Sequence, residues 1–344
     1  MDSFRVFATF GSRKSVWTSP AGLIRCLVNA AGLAPIPASR GARRVRLLPS
    51  LLIFVLTVVL AAHSSAAETN VPVVLPFTFQ RGHIMLPVRA NDSLPLSFML
   101  DTGYTMTMIN PAHAETLQLR RIGQVTIVGI AGEEPAAVYS GASFDLGGLA
   151  YAPSRIAALA SDEPGRGRKR DGILGHGFFR RFIIEMDCRA HTVSLRDPKS
   201  GPYAGAGEIV PLTFRNTTPI IEATVKTSGG ALVKGKFEID TGCNGGLCLG
   251  REFVERHQLN PSTNSVSSGV RSGVGGGARI QSGRVPQLQI GRQAVDRVET
   301  DFFLDGSPVD PGLAGHIGLA ALRPFKIIFD YSRAQMILEP YSKP

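Results

Sequence analysis

From residue 84 onward the chain is a series of short apolar runs separated by turn residues. Ile84 to Val88, Leu96 to Leu100, Val125 to Ile130 and Thr192 to Leu195 are β-rich segments of strand length, bounded by Gly, Pro, Asn or Asp. A second series follows: Ile220 to Val225, Lys236 to Ile239, Gln287 to Ile290 and Met336 to Leu338. Two stretches read as short helices, Pro111 to Leu117, with proline in its first turn, and Arg251 to His257. Many short strands with Gly-rich turns predict a mainly β protein, closed or sandwich-like, with short helices.

The two series are copies. Phe98-Met99-Leu100-Asp101-Thr102-Gly103 returns as Phe237-Glu238-Ile239-Asp240-Thr241-Gly242. Ile173-Leu174-Gly175-His176-Gly177-Phe178 is answered by His316-Ile317-Gly318-Leu319-Ala320-Ala321, and Phe182 to Asp187 by Phe325 to Asp330. Three motifs in one order, twice, indicate a duplication. Asp197-Pro198-Lys199-Ser200-Gly201-Pro202, then Gly205 and Gly207, read as the connection. The predicted organisation is residues 68–197 as the first unit, 198–207 as linker and 208–344 as the second unit.

Charge adds a leader to this picture. The net charge is +10, but residues 1–67 hold eight basic residues against one acidic, so the high isoelectric point mostly reports that segment and does not imply nucleic acid. Leu51 to Ala62 is an almost unbroken apolar run, preceded by Arg40, Arg43, Arg44 and Arg46 and followed by Ser64, Ser65, Ala66 and Ala67. This is the order of a secretory signal, with cleavage expected near Ala66 or Ala67. Its long basic extension leaves two alternatives: translation starting near Val45, or an uncleaved anchor through residues 47–62. The run is short for a spanning helix, which needs about 20 residues. The expectation is an exported protein, periplasmic or secreted, touching the membrane only if the leader stays. Among the mature residues, Cys188, Cys243 and Cys248 remain, an odd number; Cys243 and Cys248 are close enough in sequence to bridge. No C-x-x-C and no His pair argues for zinc, so no metal and no cofactor is expected.

Each Asp-Thr-Gly segment ends an apolar strand in a carboxylate. Such a buried Asp is costly unless satisfied. The glycine permits a tight turn whose amides approach the carboxylate, and the threonine hydroxyl can tie two such turns together. Two copies across a pseudo-twofold axis would set Asp101 and Asp240 face to face. Like charges so close share one proton. One ionised and one protonated carboxyl can activate a water and polarise a carbonyl, which is chemistry for amide hydrolysis without a covalent intermediate.

Asp101-Thr102-Gly103 with Ile173-Leu174-Gly175, and Asp240-Thr241-Gly242 with Ile317-Gly318, resemble the retropepsin and pepsin superfamily of aspartic proteases, in a bacterial form with two lobes in one chain. The resemblance covers about residues 80–344. It implies two pseudo-symmetric closed β-barrel lobes, a catalytic dyad of Asp101 and Asp240, and a monomer that suffices. It implies that Thr102 and Thr241 grip each other, with Gly103 and Gly242 shaping the loops, and that Leu174-Gly175 and Ile317-Gly318 run beside them. It also implies a flap over the cleft. Val125 to Val138 has the right place, with Gly129, Ile130, Ala131 and Gly132 at its tip, and Ser268 to Ile280 is the counterpart. The partner would be an extended peptide or protein substrate.

The chain departs from that family in Tyr104 and Cys243, which follow the two Asp-Thr-Gly segments where a small residue is usual. A Tyr104 between the carboxyls would leave a non-catalytic peptide-binding envelope module on the same fold, the alternative reading. His113, Glu115, His176 and His316 are near the motifs and read as solvated or locally bonded. Arg166 to Arg170 reads as a solvated basic loop. Serine-hydrolase and zincin motifs are absent from the sequence.

Overall fold

The computed structural model describes residues 71–160, 170–259, 266–306 and 310–342. The leader and most of the basic run 166–170 lie outside the described residues. Among the described residues no helix is long and apolar enough to cross a membrane.

The protein is mainly β, and both halves pass through the same elements in the same order. Strands Val73–Pro76, Thr78–Gln80, His83–Ala90 and Leu96–Leu100 open the first; Glu208–Pro211, Thr213–Arg215, Thr218–Lys226 and Leu232–Asp240 open the second. A short strand follows (Met108–Ile109; Leu247–Leu249), then a helix (Pro111–Thr116; Arg251–Arg256). Each half then makes a long hairpin and returns through Gly172–Leu174 or Gly315–Gly318 into a short helix, His176–Arg181 or Leu319–Leu322. A closing hairpin ends each half.

Local chemistry explains the boundaries. The helix Pro111–Thr116 starts where the Asn110 side chain accepts from Ala112 N, with proline at the position that has no amide to spare. It ends as Gln118 turns to positive φ. The same left-handed turns recur across the duplication: Arg81, Gln118 and His191 in the first half match Asn216, Gln258 and Ala334 in the second.

In the second half, strand Gly276–Ile290 pairs with Gln293–Phe303 and also back onto Thr218–Lys226. That extra ladder closes a six-stranded ring. In the first half the matching hairpin is interrupted at Gly141, whose φ is 91°. Strand Gly132–Ser140 stops there, and Phe144–Leu146 takes up the pairing with His83–Ala90.

A third sheet belongs to both halves. Its order is Val73–Pro76, Thr192–Arg196, Ile183–Asp187, Phe325–Asp330, Gln335–Pro340, Glu208–Pro211. The seam is antiparallel, with Ile184 opposite Phe329 and Met186 opposite Ile327. One apolar core runs through all three sheets, from Leu86 and Phe98 through Ile184 and Phe329 to Phe237 and Leu288. The Asp-Thr-Gly loops sit on top of that core.

Candidate active site

Each Asp-Thr-Gly segment leaves the end of a central strand. Leu96–Leu100 runs parallel to Gly172–Leu174, and Leu232–Asp240 parallel to Gly315–Gly318. Strand alternation buries Phe98 and Leu100, or Phe237 and Ile239, in the main core. Asp101 and Asp240 follow, both with 0% exposure.

The two loops meet through their threonines. Thr102 N donates to Thr241 Oγ1 and Thr241 N to Thr102 Oγ1, each at 3.0 Å. Each hydroxyl in turn donates across to the other half's strand: Thr102 Oγ1 to Ile239 O at 2.7 Å, Thr241 Oγ1 to Leu100 O at 3.1 Å. No buried hydroxyl or amide of the pair is wasted, and neither strand end can move without the other.

Inside each loop the amides turn onto the carboxylate. Gly103 N donates to Asp101 Oδ1 at 2.8 Å. Gly242 N and Cys243 N both donate to Asp240 Oδ1, at 2.9 and 3.2 Å. Glycine is required here by close approach. A Cβ on Gly103 would stand 2.8 Å from Asp240 Oδ1, and one on Gly242 would collide with the Asp101 carboxylate. Each glycine therefore faces the other half's acid. Burial raises the Asp101 carboxyl well above the usual 3.8, and the Asp240 charge beside it raises it further.

The apolar-glycine segments lie against these loops. Leu174 O accepts from Asp101 N at 3.1 Å, and His176 N, just past Gly175, donates to Tyr104 O at 2.8 Å. In the second half Ile317 is opposite Ile239, Gly318 N donates to Gly246 O at 2.8 Å, and Leu319 N donates to Cys243 O at 2.8 Å. Asn244 Nδ2 donates to Arg81 O at 2.8 Å, a further tie between the halves.

The two stretches expected as flaps each form a hairpin. Arg120–Gly129 pairs with Gly132–Ser140, with Ile130 and Ala131 at the turn. Ser267–Gly273 pairs with Gly276–Ile290, with Val274 and Gly275 at the turn. The tips touch: Ala131 N donates to Val274 O at 3.4 Å. Gly129 has no room for a Cβ, because Val274 stands there. Val274 is 1% exposed and buried in an apolar cluster of the first half, with Met85, Tyr104 and Ile127. Tyr104 is thus a core residue of that cluster, and the non-catalytic alternative gains no support from it.

The remaining candidates separate. His113 Nε2 and Asp171 Oδ1 are 2.8 Å apart, and Asp171 Oδ2 accepts from Ser97 N at 2.7 Å, so that pair ties a helix to strands. His176 packs against the Phe214 and Tyr331 rings, and burial, helped by Arg180, lowers its pKa to about 4. The described cysteines are buried and none is in a disulfide, so the structure has no Cys243–Cys248 bridge. Buried residues outside the sequence-based site include Glu238, Asp301 and Tyr331. Burial pushes the Tyr331 phenol far up, and the Asp101 and Glu238 charges add to it. Glu238 was visible in the repeat itself, as a charge where the first copy has Met99.

Residues 86–178 match a family model described as Aspartyl protease. The chain is similar to the aspartic proteases. That likeness points to a protease-like function and to peptides or proteins as the substrate class. Among solved structures, the aspartic proteinase from Irpex lacteus aligns at 13% identity over 79% of this chain and 98% of that one, with a TM-score of 0.48. No curated protein matches the chain.

Proposed function

We propose that the protein is an aspartic-type endopeptidase in which Asp101 and Asp240 form one dyad and water is the nucleophile. The observation that carries this reading is the reciprocal threonine tie, which brings each glycine of an Asp-Thr-Gly loop against the other half's carboxylate. A buried carboxyl pair has the right ionisation for the task, since like charges so close share one proton.

The two acids are not equivalent. Asp240 Oδ1 receives two backbone amides and Asp101 Oδ1 one. The extra donor favours the charge on Asp240, leaving the shared proton on Asp101. Asp240 then takes a proton from water as its oxygen attacks the peptide carbonyl, and Asp101 gives its proton to the carbonyl oxygen. The resulting gem-diol collapses when a proton passes from Asp240 to the amide nitrogen and the C–N bond breaks. Asp101 recovers its proton from the diol.

The substrate in this reading is an extended peptide held under the hairpin tips. The outer strands of both hairpins, Arg120–Gly129 and Ser267–Gly273, end their sheets. Their backbone groups are available to an added strand. Residues 1–67 would direct the chain out of the cytoplasm.

The test is cleavage of an unfolded protein by the full chain from about pH 3 to about pH 8. Asp101→Asn and Asp240→Asn should each lower the rate by at least about 1,000-fold while the variants keep the wild-type circular dichroism. Cleavage that survives either substitution would assign the activity to another site.

A further inference from the structure

The duplicated halves fill one equivalent space with opposite chemistry. In the first half, residues aligned across four neighbouring strands are Met99, Ile173, Met108 and Ala157. All four belong to a buried apolar cluster that also contains Tyr104. In the second half the same register reads Glu238, His316, Cys248 and Asp301, and Cys243 takes the place of Tyr104. Register partners share a sheet face, so this polar row lies on one face of the ring. The fold does not need it, since the first copy does without.

We infer that Cys243, Cys248 and His316 form a binding site for a thiophilic d10 metal ion, Zn2+ or Cu+. One ligand atom from each of the three lies within 4.8 Å of those of the other two, and all three residues are buried. Two thiolates and an imidazole are a soft donor set that selects these ions over Mg2+ or Ca2+. Neighbours supply what a metal site needs around it. Glu238 stands next to His316 in the row, in place to orient the ring as carboxylates orient metal-bound histidines. Asp301 stands next to Cys248, but its oxygens already accept from Ser282 Oγ at 2.6 Å and from Arg271. It is therefore a poor fourth ligand. Three ligands suffice for Cu+, whereas Zn2+ would complete a tetrahedron with a fourth.

Binding is ligand exchange without redox change: each thiol gives its proton to solvent and each sulfur gives a lone pair to the ion. The site adjoins the second Asp-Thr-Gly loop, because Cys243 follows Gly242 and its N donates to Asp240 Oδ1. A bound ion would clamp that loop to strands Leu247–Leu249 and Gly315–Gly318. The inference does not depend on the protease reading.

The experiment uses the full chain, purified under reducing conditions, titrated with Zn2+ and separately with Cu+ against a colorimetric chelator. One equivalent per chain is expected for at least one ion, with the same equivalence point for Co2+ followed by its thiolate charge-transfer band. Cys243→Ala and Cys248→Ala should each weaken binding by at least about 100-fold, and Cys188→Ala should leave it unchanged. Should either alanine variant fail to fold, X-ray absorption of the loaded wild type decides, with two sulfurs and one imidazole expected. Binding below stoichiometry for both ions, a shell of oxygen and nitrogen alone, or binding indifferent to both cysteines would overturn the assignment. So would a Cys243–Cys248 disulfide that survives the reducing preparation.

Discussion

At the residue scale, the shifted acid and histidine act on stability in opposite directions. Asp101 keeps its proton in the fold to well above 3.8, where an unfolded chain has already released it. Between 3.8 and that raised value the native state binds more protons, so stability falls as pH rises. Asp101→Asn keeps the shape and removes this slope. Its melting temperature should exceed that of the wild type at neutral pH, and the gap should close as pH approaches 3.8. A variant less stable than wild type at neutral pH would refute the raised pKa. His176 behaves in the reverse sense. Its pKa in the fold is about 4 against an ordinary 6.5, so the stability of the neutral, buried ring is complete above 6.5 and is lost as pH falls towards 4. His176→Phe, which suits the Phe214 and Tyr331 rings, should flatten the melting temperature over that window. The threonine tie gives a third measurement. Thr241→Val deletes one donor and leaves Thr102 N without its acceptor, at a cost of about 2–4 kcal/mol in urea unfolding, whereas Thr241→Ser should cost under about 1 kcal/mol. Equal losses would mean that the methyl group, and not the hydroxyl, holds the loops.

At the element scale, the proposed function makes the two hairpins the gate to the site. Their tips interlock through Val274, which leaves its own half and is buried in the other's apolar cluster. On the proposed reading substrate would have to separate them, so the closed tips would set part of the cost of binding. Gly129→Val puts a branched side chain where Val274 stands and should hold the tips apart. Amide exchange in residues 127–134 should then rise, and kcat/KM should fall by about 10-fold or more, mainly through KM. Unchanged exchange would mean that the tips already stand apart in solution. The sequence revealed these elements unevenly, for physical reasons. Leu96–Leu100 was legible to the residue, because an apolar run interrupted only by Ser97 is bounded by turn formers. Lys236 to Ile239 covers little more than the buried end of Leu232–Asp240, whose earlier part alternates exposed and half-buried residues without an apolar signal. Gln287 to Ile290 is likewise the tail of Gly276–Ile290, whose glycine-rich start is held by its ladder to Ser267–Gly273 and not by propensity. The paired Asp-Thr-Gly segments were readable from the repeat, and the tip of the first hairpin from the family resemblance. Val274 and the cluster of Cys243, Cys248 and His316 were not, since tertiary pairing alone brings their parts together.

At the scale of the molecule, duplication in sequence has not produced two independent bodies. The shared sheet places three strands from each half side by side, and its central pair, Ile183–Asp187 and Phe325–Asp330, joins one copy to the other. The same apolar core lies under both acids, so the backbone that aims Asp101 is supported by residues of the second copy. Unfolding one half would strip the other of a core face and of the threonine tie together. The chain should therefore unfold in one transition, with far-UV circular dichroism and loss of cleavage activity coincident in urea. Weakening the seam tests the cause. Met186→Ala, opposite Ile327 and fully buried, should cost about 2–5 kcal/mol and shift both probes by the same amount. Two transitions, with activity lost in the first while most strand signal persists, would mean that each copy carries its own stability and that the shared sheet is only a hinge between them.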